Sequence, residues 1–160
     1  MIGNSALASP TAYQSTKHSA LLAIAVGGGI AGTLDLLQAC ILFGWHIPLS
    51  IAGGLLGRQA IHGGAGTYVL GILLHFFIAC SAAATYYAAS RKLTFLIDYP
   101  FVCGLFFGAA VEDVMSLVVL PLSALHVRGP YQLRELIVGL LVHMVVIGLP
   151  IAYSVRRFAR

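Results

Sequence analysis

Five ionisable residues lie inside long apolar stretches of this chain: Asp35, His75, Glu112, Asp113 and His143. Carboxylates and imidazoles exchange protons and bind cations or metal ions, so these residues are candidates for chemistry. Hydrocarbon normally excludes such groups, and those present face the interior of a helix bundle or a water-filled cavity. The pattern therefore indicates a polar site inside an otherwise apolar protein.

Composition excludes an ordinary soluble domain. Hydrophobic residues make up 59% of the 160 positions and charged residues only 9%, against roughly 25% charge in a soluble domain. A span of ~20 apolar residues crosses the hydrocarbon core, and it must be helical because lipid offers no partner to a backbone amide. The sequence predicts an all-α polytopic membrane protein, with a disordered cytoplasmic tail over 1–19 and a four-helix transmembrane domain over 20–160. The predicted spans are 20–44, 66–90, 100–124 and 133–155.

The segment Ile47–Gly66 between the first two spans is too long for a tight turn and too apolar for a solvated loop. We expect a short interfacial helix that starts near Pro48 and ends at the glycines around Gly64. Arg58 and His62 are four residues apart and would share a face of that helix. Either Arg58 snorkels to the headgroups, or the pair contacts an anion or a lipid head at the outer surface, together with Arg128 and Arg134.

Small residues at helical spacing accompany the ionisable ones, and such stripes mark where transmembrane helices approach each other. Measured from one end of the bundle, four of the ionisable residues lie at similar depth, which predicts a buried polar layer of Asp35, His75, Glu112 and His143. We expect Asp35 and His75 to lie within reach of a hydrogen bond or one bridging water. Asp113 is turned about 100° from Glu112, so it would face a partner or a water-filled crevice.

The two halves of the chain show a faint internal repeat. GILLH at 71–75 resembles GLLVH at 139–143, and GGIAG at 28–32 matches GLFFG at 104–108 in spacing. A duplicated hairpin would set an Asp35/His75 pair against a Glu112/His143 pair. Chance similarity between Gly- and Leu-rich spans is the alternative.

Several motifs together resemble a family of uncharacterised bacterial inner-membrane proteins of about this length. They are GGIAGTLD, GGLLGRQAIHGG, LHFFIA before YYAASRK, VVLPLSA, and GLLVHMVVIGLPIA with a basic C-terminus. The resemblance implies a four-span protein of the bacterial inner (plasma) membrane and implies no activity. The acidic pair Glu112 and Asp113 departs from the Asn-like residue expected before VVLPLSA.

Three classes of function remain open. The first is a non-catalytic accessory or structural membrane protein, alone as a homo-oligomer or within a larger membrane complex. The second is a small oligomeric transporter or proton-coupled permeation protein with the polar layer as a relay. The third is a redox protein in which His75 and His143 bind haem b or a divalent metal.

We expect no cofactor and no catalytic residues, because no nucleophile, phosphate loop or metal motif can be argued from spacing. The net charge of +4 comes from basic residues beside the spans, which indicates contact with the lipid bilayer and no nucleic-acid partner. At the outer surface we expect Arg134 or Arg58 to form an ion pair with Glu135.

The distribution of basic residues predicts that both termini are cytoplasmic, because loops rich in Lys and Arg stay inside. Six lie on the side of the termini and the middle loop (Lys17, Arg91, Lys92, Arg156, Arg157, Arg160), against three on the other side (Arg58, Arg128, Arg134). Reporter fusions after Arg160 and near Gly64 test this. A C-terminal fusion active only as a periplasmic reporter would contradict it.

Overall fold

The computed structural model describes residues 10–127, 129 and 132–158, and every regular element among them is helical. We number the helices α1 (Pro10–Phe43), α2 (Ile47–Leu56), α3 (Ala65–Ser90), α4 (Phe95–Asp98), α5 (Pro100–Leu122) and α6 (Leu133–Phe158). The segments Ser19–Phe43, Ala65–Ser90, Pro100–Leu122 and Leu133–Phe158 are long and apolar enough to cross a membrane. These four spanning helices agree with the predicted spans within a few residues.

Helix α1 begins at Pro10, so residues 10–19 of the segment predicted as a disordered tail are helical. Pro is favourable in the first turn of a helix, and no glycine or further proline interrupts the chain before Gly27. Residues 1–9 of the predicted tail lie outside the described residues.

The spanning helices follow the spatial order α3, α1, α6, α5, because α1 packs against α3 and α6, and α5 packs against α6. We call the end that carries α2 the α2 end, and the opposite end, which carries the short connection through α4, the α4 end. Large apolar side chains such as Phe77 and Phe106 point outward, at 70% and 73% exposure. That outward face suits contact with lipid.

Glycines set the closest helix contacts. A Cβ on Gly28 would lie 2.7 Å from the Cα of Cys80 in α3, and one on Gly108 would overlap the backbone carbonyl of His143. A Cβ on Gly148 would overlap the carbonyl of Gly104 in the same way. The small-residue stripes therefore let these backbones touch, as the sequence predicts.

Helix α2 is shorter than the predicted interfacial helix. It ends at Gly57, whose φ of 85° leaves the helical region, and residues Arg58–His62 form a 3-10 turn. Residues four apart do not share a face in a 3-10 helix, which has three residues per turn. The expectation that Arg58 and His62 share a helix face is therefore wrong.

Helix α2 packs closely on α3, because Gly71 lacks the side chain that would overlap the carbonyl of Pro48. Its Gly54 carbonyl also accepts a hydrogen bond of 2.8 Å from the Ala124 amide, just beyond α5. Helix α2 thus bridges α3 and the end of α5.

Two π-helical segments, Met115–Val119 in α5 and His143–Gly148 in α6, interrupt the spanning helices. A π-turn inserts one extra residue, which rotates the residues on either side relative to a continuous α-helix, and it is frequent at functional sites. One segment begins three residues after Glu112, and the other begins at His143.

Helices α3 and α5 do not pack along each other in the described part of the chain. Side chains meet across the gap, and the rings of Tyr86 and Phe107 lie edge to face with centroids 4.9 Å apart. The ring of four spanning helices is therefore open on one side, where a groove separates α3 from α5.

Candidate functional site: a carboxylate–histidine layer

The polar layer forms at one depth in the bundle. Its members lie eight to ten residues from the α2 end of their helices, with Asp35 eight before Phe43, His75 ten after Ala65, Glu112 ten before Leu122 and His143 ten after Leu133. At 1.5 Å per residue this depth is about 12–15 Å. All four side chains line one cavity of about 260 Å³ between the helices.

Glu112 is the most connected member of the layer. Its Oε2 lies 3.1 Å from Nδ1 of His143, and its Oε1 accepts a hydrogen bond of 2.9 Å from the hydroxyl of Ser116. A Cβ on Gly139 would lie 2.8 Å from Oε1, so this glycine makes room for the carboxylate. One oxygen of Glu112 thus accepts a hydrogen bond from a hydroxyl, and the other lies beside the imidazole of His143.

The second pair is looser. The Nε2 atom of His75 lies 4.0 Å from Oδ2 of Asp35 and 2.8 Å from the carbonyl oxygen of Gly32. The expectation that Asp35 and His75 lie within reach of one bridging water agrees with this distance. Helices α1 and α3 form one helical hairpin, and α5 and α6 form the other. Each hairpin carries one carboxylate–histidine pair.

Hydrogen-bond geometry assigns the tautomer of each neutral imidazole. A carbonyl oxygen can only accept, so the nitrogen beside it must carry a proton. Nδ1 of His143, 3.0 Å from the carbonyl of Gly139, is therefore a donor, and so is Nε2 of His75. The opposite ring nitrogen of each histidine remains able to accept a proton.

A second cavity of about 620 Å³ connects the layer to the α2 end. Its deep part is lined by Asp35, Glu112 and His143, which also line the smaller cavity. Its outer part is polar, with Gln38, Gln132, Arg134 and Glu135 on its walls. We call it the vestibule, because it leads from polar residues at the α2 end to the buried carboxylates.

Sequence patterns missed three features of the site. Ser116 follows Glu112 by one helical turn, a spacing that could have suggested the hydrogen bond. Gln38 lies three residues after Asp35 and shares its helix face. The π-turns leave no mark in hydropathy and had no signal.

Asp113 lies outside the layer and is exposed on the outward face of α5, in agreement with its predicted rotation away from Glu112. The candidate anion or lipid contacts Arg58, His62 and Arg134 are exposed at the α2 end. Arg128 lies outside the described residues.

The expected ion pair of Glu135 with Arg134 or Arg58 is absent within the described ranges. The ion pairs found there are the two carboxylate–histidine pairs of the polar layer. Arg134 and Glu135 are consecutive on α6, and neighbours one residue apart point in different directions on a helix. Arg58 belongs to the 3-10 turn after Gly57 and not to a helix face directed at α6.

In the part of the chain that the structure describes, no three His, Cys, Asp or Glu residues converge in a group that could hold a metal ion. His75 and His143 each have one ring nitrogen beside a backbone carbonyl. Binding of haem b or a metal by these two histidines stays a prediction.

Fold and site thus define an all-α protein of four spanning helices with a buried carboxylate–histidine layer. Comparisons with known protein families, with curated protein sequences and with solved structures find no match to this chain. The resemblance to bacterial inner-membrane proteins stays a prediction, and function has to be argued from the site itself.

The Glu112–His143 contact generates a prediction about stability. In a double-mutant cycle of Glu112→Leu and His143→Leu, we expect a coupling free energy of about 1–2 kcal/mol, the upper range for polar contacts between membrane helices. Asp35→Leu with His75→Leu should couple less, because that pair is 4.0 Å apart and not 3.1 Å. Unfolding free energies from denaturant titration in detergent micelles measure both.

Glu112→Leu combined with Thr33→Val is the control, since the Thr33 hydroxyl bonds only within its own helix, to the Gly29 carbonyl. That pair should be additive within ~0.5 kcal/mol. Equal coupling in all three cycles would contradict a specific Glu112–His143 interaction.

Proposed function

We propose that this chain is a small proton-coupled permeation protein, in which the carboxylate–histidine layer passes protons between the vestibule and the rest of the bundle. The observation that carries the proposal is the meeting of two cavities at Asp35, Glu112 and His143. Intramembrane carboxylates and histidines that border a water-filled cavity mark ion and proton pathways. The cavities favour this function over the accessory role that the sequence alone ranks first.

The geometry supports a relay through the layer. Protons that enter the vestibule meet Glu112 and His143, which both line it. Nδ1 of His143 faces Glu112 and already carries a proton, so the proton is accepted at the opposite ring nitrogen, Nε2. The 4.0 Å distance between Asp35 and His75 suits exchange through a bridging water. Each carboxylate has an imidazole beside it, so a proton can be held without leaving an unpaired charge in the interior.

The proposal includes the bacterial inner membrane with both termini in the cytoplasm, on the basis of six basic residues against three. In that orientation the α2 end, and with it the mouth of the vestibule, faces the side of the membrane opposite the cytoplasm. The exposed Arg58, His62 and Arg134 would then lie where lipid phosphates are found, and they favour anionic headgroups there.

Removal of a relay member should slow proton movement. In proteoliposomes with an internal pH-sensitive dye and a potassium diffusion potential, we expect Glu112→Gln and His143→Gln each to lower the rate by about 10²-fold, a typical contribution of a positioned proton-transfer group. Tyr153→Phe is the control, because Tyr153 is exposed and lines none of the cavities described. Unchanged rates in both relay variants, with intact protein, would overturn the proposal.

A second candidate function, a subunit of a homo-oligomer or of a larger membrane complex, is favoured by Asp113. Its carboxylate projects from the middle of α5 among outward apolar side chains such as Leu117, 69% exposed. A charged residue at such a depth costs about 2.5–3.5 kcal/mol on insertion scales, unless another helix or water receives it. A neighbouring protomer would shield it.

Replacement of Asp113 separates these roles. If Asp113 lies in an interface, Asp113→Leu should shift the population toward the monomer by at least about fivefold, equivalent to ~1 kcal/mol. Native mass spectrometry from mild detergent reports the distribution. Phe101→Ala is the control on the same helix, because Phe101 is also about half exposed, at 54%, but lies twelve residues before Asp113 and is turned about 120° from it. An unchanged distribution in Asp113→Leu would remove the support for assembly.

A further inference from the structure

The groove between α3 and α5 joins the polar layer to the opposite end of the bundle. A cavity of about 400 Å³ is lined, within the described part of the chain, by these two helices alone, from Ile78 to Thr85 and from Phe107 to Val119. It shares Ile78, Ala82, Val111 and Met115 with the cavity of the polar layer. Toward the α4 end it shares Thr85 and Phe107 with a larger cavity of about 730 Å³.

The walls of this groove offer little to a polar molecule. The hydroxyl of Ser81 donates to the Phe77 carbonyl, that of Thr85 to the Ser81 carbonyl, and that of Tyr86 to the Leu96 carbonyl. The groove is therefore suited to an apolar body, and each cavity has a volume in the range of small-molecule sites, ~300–1,000 Å³.

The charged side chains that line the groove and the polar layer are all negative. Among the described residues, no Lys or Arg lines the two groove cavities or the cavity of the polar layer, whereas Asp35 and Glu112 supply two carboxylates. At the α4 end the larger cavity is lined by five aromatic side chains, Tyr86, Phe95, Tyr99, Phe106 and Phe107. Aromatic faces attract cations and do not attract anions.

We propose that the groove between α3 and α5 binds a lipophilic cation, with its apolar body between the helices and its positive centre directed to Glu112 and Asp35. This inference rests on the proposed function and names the substrate class of the same site. Such a cation would reach the groove from the lipid side, where α3 and α5 are apart, and would compete with protons for the two carboxylates. An acyl chain of an ordinary lipid, the alternative occupant, would have no need of the carboxylates.

The test compares two ions of nearly equal shape and opposite charge. Purified protein in mild detergent is equilibrated with radiolabelled tetraphenylphosphonium or with tetraphenylborate, and bound ligand is measured against protein-free micelles. We expect saturable binding of the phosphonium cation, with about one cation bound per protein chain, and no saturable binding of the borate anion. Saturable binding of both ions, or of neither, would overturn the proposal.

Two sets of variants locate the site. Asp35→Asn with Glu112→Gln should raise the Kd for tetraphenylphosphonium at least about tenfold, because the charge attraction is lost. Val114→Trp should reduce binding several-fold, because Val114 lines the groove and a larger side chain would fill it. Val69→Trp is the matched control and should leave binding unchanged. The two valines are similarly exposed, at 51% and 53%, but Val69 lines none of these cavities. Ala82→Phe, at the junction of groove and polar layer, is a second blocking variant if Val114→Trp is poorly folded.

Cation binding that persists in both the charge variant and the groove variants would also overturn the proposal. Proton movement in proteoliposomes is measured without any phosphonium ion, so the two proposals fail separately. Proton flux that depends on Glu112, together with no phosphonium binding, would reject the lipophilic cation and leave the permeation function standing. Absence of flux with charge-dependent binding would reject the relay and retain the binding site.

Discussion

The rest of this structure depends on the need to pair carboxylates inside an apolar bundle. An isolated ionised carboxylate in such surroundings is strongly unfavourable, and removal of one partner from a buried pair costs about 3–5 kcal/mol. Glu112 meets this constraint with a hydrogen bond from the Ser116 hydroxyl and with the imidazole of His143, 3.1 Å away. The pairing requires α5 and α6 to approach closely, which the contact of Gly108 with the His143 backbone and the space at Gly139 allow.

The open ring of helices follows from where the close contacts lie. Glycine contacts join α1 to α3 through Gly28 and join α5 to α6 through Gly104 and Gly108. Between α3 and α5 the contacts are made by large side chains, including Tyr86 and Phe107, which keep the backbones apart. The bundle is therefore tight within each hairpin and loose between α3 and α5, and its cavities lie along that loose side.

Hydropathy and residue spacing were enough to predict the helices and the depth of the layer. Span length fixes which segments cross ~30 Å of hydrocarbon, and a constant rise per residue then places Asp35, His75, Glu112 and His143 at one level. Which residues make contact could not be predicted in the same way. The break of α2 depends on the positive φ of Gly57, and the α3–α5 gap depends on helix order, which hydropathy does not encode. The Arg134–Glu135 expectation was wrong because proximity in sequence does not bring neighbouring side chains together on a helix.

The two hairpins carry the same chemistry with different geometry. In each, the first helix supplies a carboxylate and the second a histidine whose other contact is a backbone carbonyl, of Gly32 in one hairpin and of Gly139 in the other. This arrangement matches the pairing expected from an internal repeat. A third pair of similar motifs does not correspond in structure, because IPLS at 47–50 begins α2 while LPLS at 120–123 ends α5.

The distances then distinguish the pairs. Glu112 is held by two short contacts and by the packing at Gly139, whereas Asp35 and His75 are 4.0 Å apart. Donor and acceptor atoms in a hydrogen bond with a nitrogen donor lie within about 3.2 Å of each other, so the Asp35 pair retains room for an exchange of partner that the Glu112 pair lacks. Within the proposed relay, Glu112 and His143 therefore act as the fixed element, and the pair on α1 and α3 is the one whose contacts can change as a proton or a cation passes.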